Sequence, residues 1–147
     1  MRAKLFAVVG ALALLGATEL VAEAHHYYGR QYYGSWSYYP QYSYYYRSYY
    51  YQPYDGYDGY NYHYCIYYPS QPSYVYYYNP HSHYYWGRLD LRAKGENKYS
   101  LLAEKDRKAS LKDIPESAFP KPGKMPPIPE SKDGVAIKPI SPDDLPK

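Results

Sequence analysis

The groups in this chain that could do chemistry are overwhelmingly phenols. Of its 147 residues 27 are tyrosine, and the stretch "SYYPQYSYYYRSYYYQPYDGYDGYNYHYC" at 37–65 holds 14 of them in 29 positions. A phenol is a flat apolar ring with a donor–acceptor tip. One ring pair adds only about 0.5–1.5 kcal/mol beyond its area burial, but many weak contacts made together give lasting association. The densest run, Tyr44, Tyr45, Tyr46, Tyr49, Tyr50 and Tyr51, is therefore the candidate for self-association. Exposed phenols can also be oxidised to radicals that couple as dityrosine, given an oxidant. Arg30 and Arg47 add cation–π contacts, and they are the only basic residues besides histidine between 25 and 86. Binding nucleic acid by stacking needs a basic groove beside the rings, so that class is excluded. Stacking of rings on sugars stays open.

Other reactive constellations are missing. Cys65 is the single cysteine, so it is a free thiol, half of an intermolecular disulfide, or a catalytic thiol, and nothing around His63 resembles a protease signature. His25 and His26, or His81 and His83, do not supply the three or four spaced ligands of a closed zinc site. "YDGYDGY" at 54–60 follows no strand and opens no helix, so it is no phosphate loop. Asp55 and Asp58 lie among turn residues that would not hold them at a fixed separation. No serine sits in a nucleophile elbow. The expectation is a protein that is not an enzyme and carries no cofactor or metal.

Four segments would position these groups. "MRAK", an apolar run at 5–17 and the small residues Ala22 and Ala24 around Glu23 read as a signal-peptide helix cleaved between Ala24 and His25. That places the mature protein outside the cytoplasm, in the periplasm, envelope or extracellular space, with no membrane span after cleavage. Residues 25–73 form a tyrosine-rich region whose aromatic clusters step by five or six, matching neither helix nor strand, and which Pro40, Pro53, Gly56 and Gly59 interrupt. It reads as disordered low complexity. At 74–119 "YVYYYNP", "HYYWGRLDL" and "KYSLL" read as a small three-stranded antiparallel β-meander around 74–102. Its core would be Val75, Tyr77, Trp86, Leu89, Leu91, Leu101 and Leu102. The last segment, 120–147, has eight prolines in 28 residues and reads as a disordered, polyproline-biased spacer.

The later motifs also occur in series: "YNP" at 78–80, "YWGR" at 85–88, "YSLL" at 99–102, "DIPESAFP" at 113–120 and "MPPIP" at 125–129. In this the chain resembles a group of small exported proteins of planctomycete bacteria that have no assigned activity. The resemblance covers about residue 74 to the end. It implies export and carries over no functional residue. Members of that group often place a cysteine-rich or aromatic-rich segment before "YNP"; here the segment is tyrosine-rich with Cys65 alone.

These observations lead to an exported structural or adhesive protein of the cell envelope or extracellular space. It would self-associate or be cross-linked through its tyrosines, with itself or other envelope components as partner. The competing reading is a binding protein whose β-module recognises a partner such as envelope polysaccharide.

Overall fold

A computed structural model describes residues 29–147. The signal-peptide helix and the cleavage site at Ala24 and His25 lie outside the described residues. Aromatic side chains suit a pleated, half-buried surface, and from Gln31 onward the tyrosine runs take that form. The strands are β1 (Gln31–Tyr33), β2 (Ser37–Tyr39), β3 (Tyr44–Tyr51), β4 (Asn61–Tyr67), β5 (Tyr74–Asn79), β6 (Tyr84–Asp90) and β7 (Tyr99–Leu101). Every pairing is antiparallel, in the order β1, β3, β4, β5, β6, β7, with β2 also on β3. The disorder expected of the 25–73 region is thus overturned over its described part, 29–73, and so is the expected three-stranded meander. The runs at 74–79, 84–90 and 99–101 are strands, but they are three of the seven in a sheet that continues into the tyrosine region. Tyrosine stands on both faces of β3 and β4, so the two-residue alternation that marks a strand is invisible there.

β1 and β2 share one edge of β3. Tyr33 pairs with Tyr49 and Ser37 with Tyr46, so three residues (34–36) face two (47–48), which is a bulge. A second irregularity between Tyr77 and Tyr78 leaves Trp86 as the extra residue of β6. It brings Trp86 onto the same face as Tyr77, at 5.3 Å between ring centroids.

Each face is covered by irregular chain. One carries Tyr49, Tyr51, Cys65, Val75, Tyr77, Trp86, Leu89 and Tyr99, under Ile128, Ile137 and Ile140. These isoleucines belong to the proline-rich tail, which is therefore a strap and no disordered spacer. Gly123 bridges to Tyr99 at the β7 edge. At the opposite edge Tyr33 donates to the Lys138 carbonyl (2.6 Å) and Trp36 to that of Asp144 (2.6 Å). Proline supplies no N–H and holds an extended φ, so such a strap runs across a sheet without demanding a ladder of its own. The opposite face carries Ile66, Tyr76 and Tyr85 under Leu102, Leu111, Ile114 and Phe119, in a segment that makes three short 3-10 turns between 104 and 118.

Two buried arginines tie down the covers. Arg47 lies 4.9 Å from the Trp36 ring and 5.2 Å from the Tyr33 ring, donates to the Gly34 carbonyl in the bulge (2.7 Å) and pairs with Asp144 of the strap. Arg88 is sandwiched between Tyr74 (3.8 Å) and Phe119 (4.0 Å) and grips Glu116 with two nitrogens. That grip holds the Glu116 carboxyl below its usual range. The cation–π contacts expected of Arg47 are therefore intramolecular.

Of the expected core, Val75, Tyr77, Trp86, Leu89 and Leu102 are buried, Leu91 is half-buried, and Leu101 is 44% exposed. Leu101 closes the short strand β7 and borders an open hollow beside the strap, which leaves it in contact with solvent. Gly87 has a packing role: a Cβ there would lie 2.6 Å from Cζ of Tyr99, whose ring is fully buried against Trp86 and Tyr77. Gly87→Ala should cost about 1–3 kcal/mol in denaturant unfolding; unchanged stability would mean the ring has room to move. His63 gives a pH dependence. Burial first, and His81 second, lower its pKa from 6.5 to about 4. Between those values the unfolded chain binds a proton that the folded chain refuses, so stability falls as pH falls. The loss should be on the order of 3 kcal/mol. Urea midpoints at pH 7 and pH 4.5 should differ less in His63→Phe than in the parent chain, and equal differences would rule this origin out.

Candidate functional site

Strand alternation divides the tyrosines singled out for self-association. Tyr45, Tyr49 and Tyr51 point to the strapped face, Tyr44, Tyr46 and Tyr50 to the other. Tyr49 and Tyr51 are buried, with hydroxyls bonded to Gln31 (2.9 Å) and His63 (3.3 Å). Tyr45 packs on Tyr38 (4.8 Å) and Tyr50 stacks on Tyr32 (4.8 Å, 18°). Of the six, only Tyr44 and Tyr46 line the open hollow on that other face.

That hollow is a groove of about 530 Å³ on the face opposite the strap. Tyr44, Tyr46, Tyr64, Tyr78 and Tyr85 come from β3, β4, β5 and β6, and Ile66 lies among them. Tyr39 and Tyr42 line the β2 side, and Ala109 belongs to the covering segment. A second hollow of about 470 Å³ shares Tyr42, Tyr44, Tyr85 and Ala109 and extends to Tyr68, Gln71 and Lys112. The rings meet mostly edge to face: Tyr44 with Tyr46 at 6.3 Å and 80°, Tyr46 with Tyr64 at 5.8 Å and 80°, Tyr78 with Tyr85 at 5.0 Å and 64°. Edge-to-face packing suits the ring quadrupoles and leaves the groove corrugated.

The groove is electrically neutral. Desolvation, then neighbouring phenols, raise the pKa of Tyr44 and of Tyr64, and desolvation followed by the bond to Tyr68 raises that of Tyr85. These hydroxyls stay protonated and can donate and accept hydrogen bonds. They offer no general base or nucleophile near neutral pH. The groove can stack, hydrogen-bond and exclude water. Tyr39, Tyr42, Tyr64, Tyr78 and Tyr85 were not among the sequence candidates. Reading 44–51 and 61–67 with a two-residue period would have grouped Tyr44, Tyr46, Tyr62 and Tyr64 on one face.

The remaining candidates fall elsewhere. Asn79 closes the turn after β5, its Oδ1 accepting from the backbone of His81 (2.9 Å) and Ser82 (3.1 Å). His81 and His83 are exposed in that turn, and no cluster of three or more His, Cys, Asp or Glu occurs among the described residues. Asp55 and Asp58 are exposed in the β3–β4 loop. No helix among the described residues is long and apolar enough to cross a membrane. Cys65 sits in the middle of β4, wholly buried. Desolvation raises its pKa well beyond what Arg47 restores. An intermolecular disulfide would need the sheet to open, because the thiolate is the reacting species. Native protein should therefore label with a maleimide far more slowly than protein in denaturant, and stay monomeric without reductant. Rapid native labelling, or a dimer that reductant dissolves, would show that Cys65 is reachable.

The chain matches no family model, no curated protein and no solved structure.

Proposed function

We propose that this chain is an exported, non-catalytic adhesive protein of the cell envelope or extracellular space, and that its tyrosine groove holds polysaccharide. The observation that carries this reading is the groove itself: an open channel floored by rings from four strands, bearing neutral hydroxyls. Sugars present flat C–H faces bordered by hydroxyls. An aromatic floor covers the former and phenol tips pair the latter. With hardly any charge in it, the groove gives a phosphate or a nucleic-acid backbone little to hold.

Self-association is a second reading, favoured by the exposure of Tyr39 and Tyr42 in the wall of the same groove. It no longer draws on a flexible string of tyrosines, since most rings are committed to contacts within the fold.

Co-sedimentation with cellulose, chitin and peptidoglycan sacculi tests the proposal. At least one polymer should retain the chain. Tyr44→Ala with Tyr64→Ala, checked for retained near-ultraviolet circular dichroism, should weaken retention roughly tenfold. Tyr54→Ala, in the β3–β4 loop, should leave it unchanged. Retention that survives the double substitution would remove the groove from the account. Concentration-dependent assembly abolished by Tyr42→Ala would favour self-association.

A further inference from the structure

The strapped face carries a second hollow of different character. It measures about 280 Å³ and lies between β4, β5 and β6 and the strap residues 126–131. Its lining mixes rings with polar groups: Tyr84 and Trp86, His63 and Asn79, Arg107, and Glu130 with Ser131 of the strap. Five buried side-chain polar atoms among the described residues make no hydrogen bond, and three belong to residues of this hollow: His63 Nδ1, Trp86 Nε1 and Ser131 Oγ. A fourth, the Tyr99 hydroxyl, belongs to a ring packed 5.5 Å from Trp86. Buried polar groups are nearly always partnered, and a cluster of exceptions at one place calls for a specific reason.

Chemistry narrows the partner. Trp86 Nε1 only donates, Ser131 donates and accepts, and Nδ1 of a neutral His63 does either according to the role its Nε2 takes toward Tyr51. Asn79 Oδ1 already holds two backbone donors, which leaves its amide N–H groups for a ligand. Arg107 lies 5.6 Å from the Tyr84 ring and spends Nε on the Leu102 carbonyl (3.3 Å). Glu130, exposed, is the single carboxylate of the lining and leaves the hollow without net charge. A ligand matched to one cation, one anion, two rings and several groups of either sense is itself neutral and dense in hydroxyls. The volume falls just below the ~300–1,000 Å³ usual for drug-sized ligands, so the hollow takes a single small unit.

We infer that the hollow between Trp86, His63 and Ser131 is a binding site for one neutral monosaccharide, separate from the groove on the opposite face. The inference stands on its own geometry and does not need the groove to bind polymer. The strap supplies part of the site, so the proline-rich tail is a recognition element as well as a cover.

Two-dimensional ¹H–¹⁵N spectra of the mature chain test this directly, because only Trp36 and Trp86 give indole signals. Trp36 Nε1 is already bonded to the Asp144 carbonyl and serves as the internal reference. The probes are D-glucose, D-galactose and N-acetyl-D-glucosamine, with acetate as the anionic control. At least one sugar should shift the Trp86 indole saturably while Trp36 stays in place. Ser131→Ala, which removes a hydroxyl without a partner in the fold, should keep the spectrum and weaken that sugar severalfold. Arg107→Gln should weaken it roughly tenfold. No saturable shift with any of the three sugars, an equal response to acetate, or unchanged affinity in Ser131→Ala would overturn the assignment. Loss of polymer retention on the other face would leave these indole shifts untouched, so the two proposals fail separately.

Discussion

A core built from tyrosine must find a partner for every hydroxyl it buries, and that requirement organises this fold. Leaving one such group unpaired costs about 1–3 kcal/mol, enough to cancel the gain from the ring beside it. The chain meets the demand with phenols paired to each other and with amides, the buried Tyr99 hydroxyl being the exception. Tyr33 donates to Lys138 and so must accept from Tyr77 (2.9 Å). Tyr68 pairs with Tyr85 (3.0 Å), Tyr76 donates to Gln71 (2.6 Å), and Tyr49 donates to Gln31. Gln31 and Gln71, at the margin of the sheet, serve the core by accepting from its phenols.

The same demand explains the two covers. A lone sheet with aromatic rings on both faces would leave large apolar patches exposed, which soluble monomers avoid. The segments at 102–119 and 123–145 bury them, each pinned by an arginine whose charge is offset by a carboxylate and by ring faces. Removing Glu116 or Asp144 would leave a buried cation short of its partner. Each of the five motifs in series contributes a contact to this arrangement. Asn79 closes a turn; Trp86, Gly87 and Arg88 meet Tyr99, Glu116 and Phe119; Ile114 and Ile128 fill opposite sides of the sheet. Their occurrence together is explained by packing before any activity is invoked.

What remains open to solvent is chemically quiet. Burial keeps the Tyr44, Tyr64 and Tyr85 hydroxyls of the groove protonated, the lone thiol is sealed, and the histidine in the core is held neutral. On the proposed reading the groove's selectivity would come from the shapes of rings and the placement of hydroxyls, both fixed by strands and their cross-strand contacts.

From the residues alone one could read the dominance of phenols, the turn at Asn79, and Val75, Tyr77, Trp86, Leu89 and Leu102 as core. Those signals are local: a turn residue, a β-branched or aliphatic side chain in a short apolar run. The strands between 31 and 67 were illegible because tyrosine occupies both faces and erases the alternation that separates inside from outside. The strap was illegible for a different reason. Ile128, Ile137 and Ile140 follow no period of their own, and only the sheet they cross gives their spacing a meaning. Which tyrosines form the groove, which vanish into the core, and where Trp86 meets Ser131 were decided by long-range pairing, since local composition is much the same at all of them.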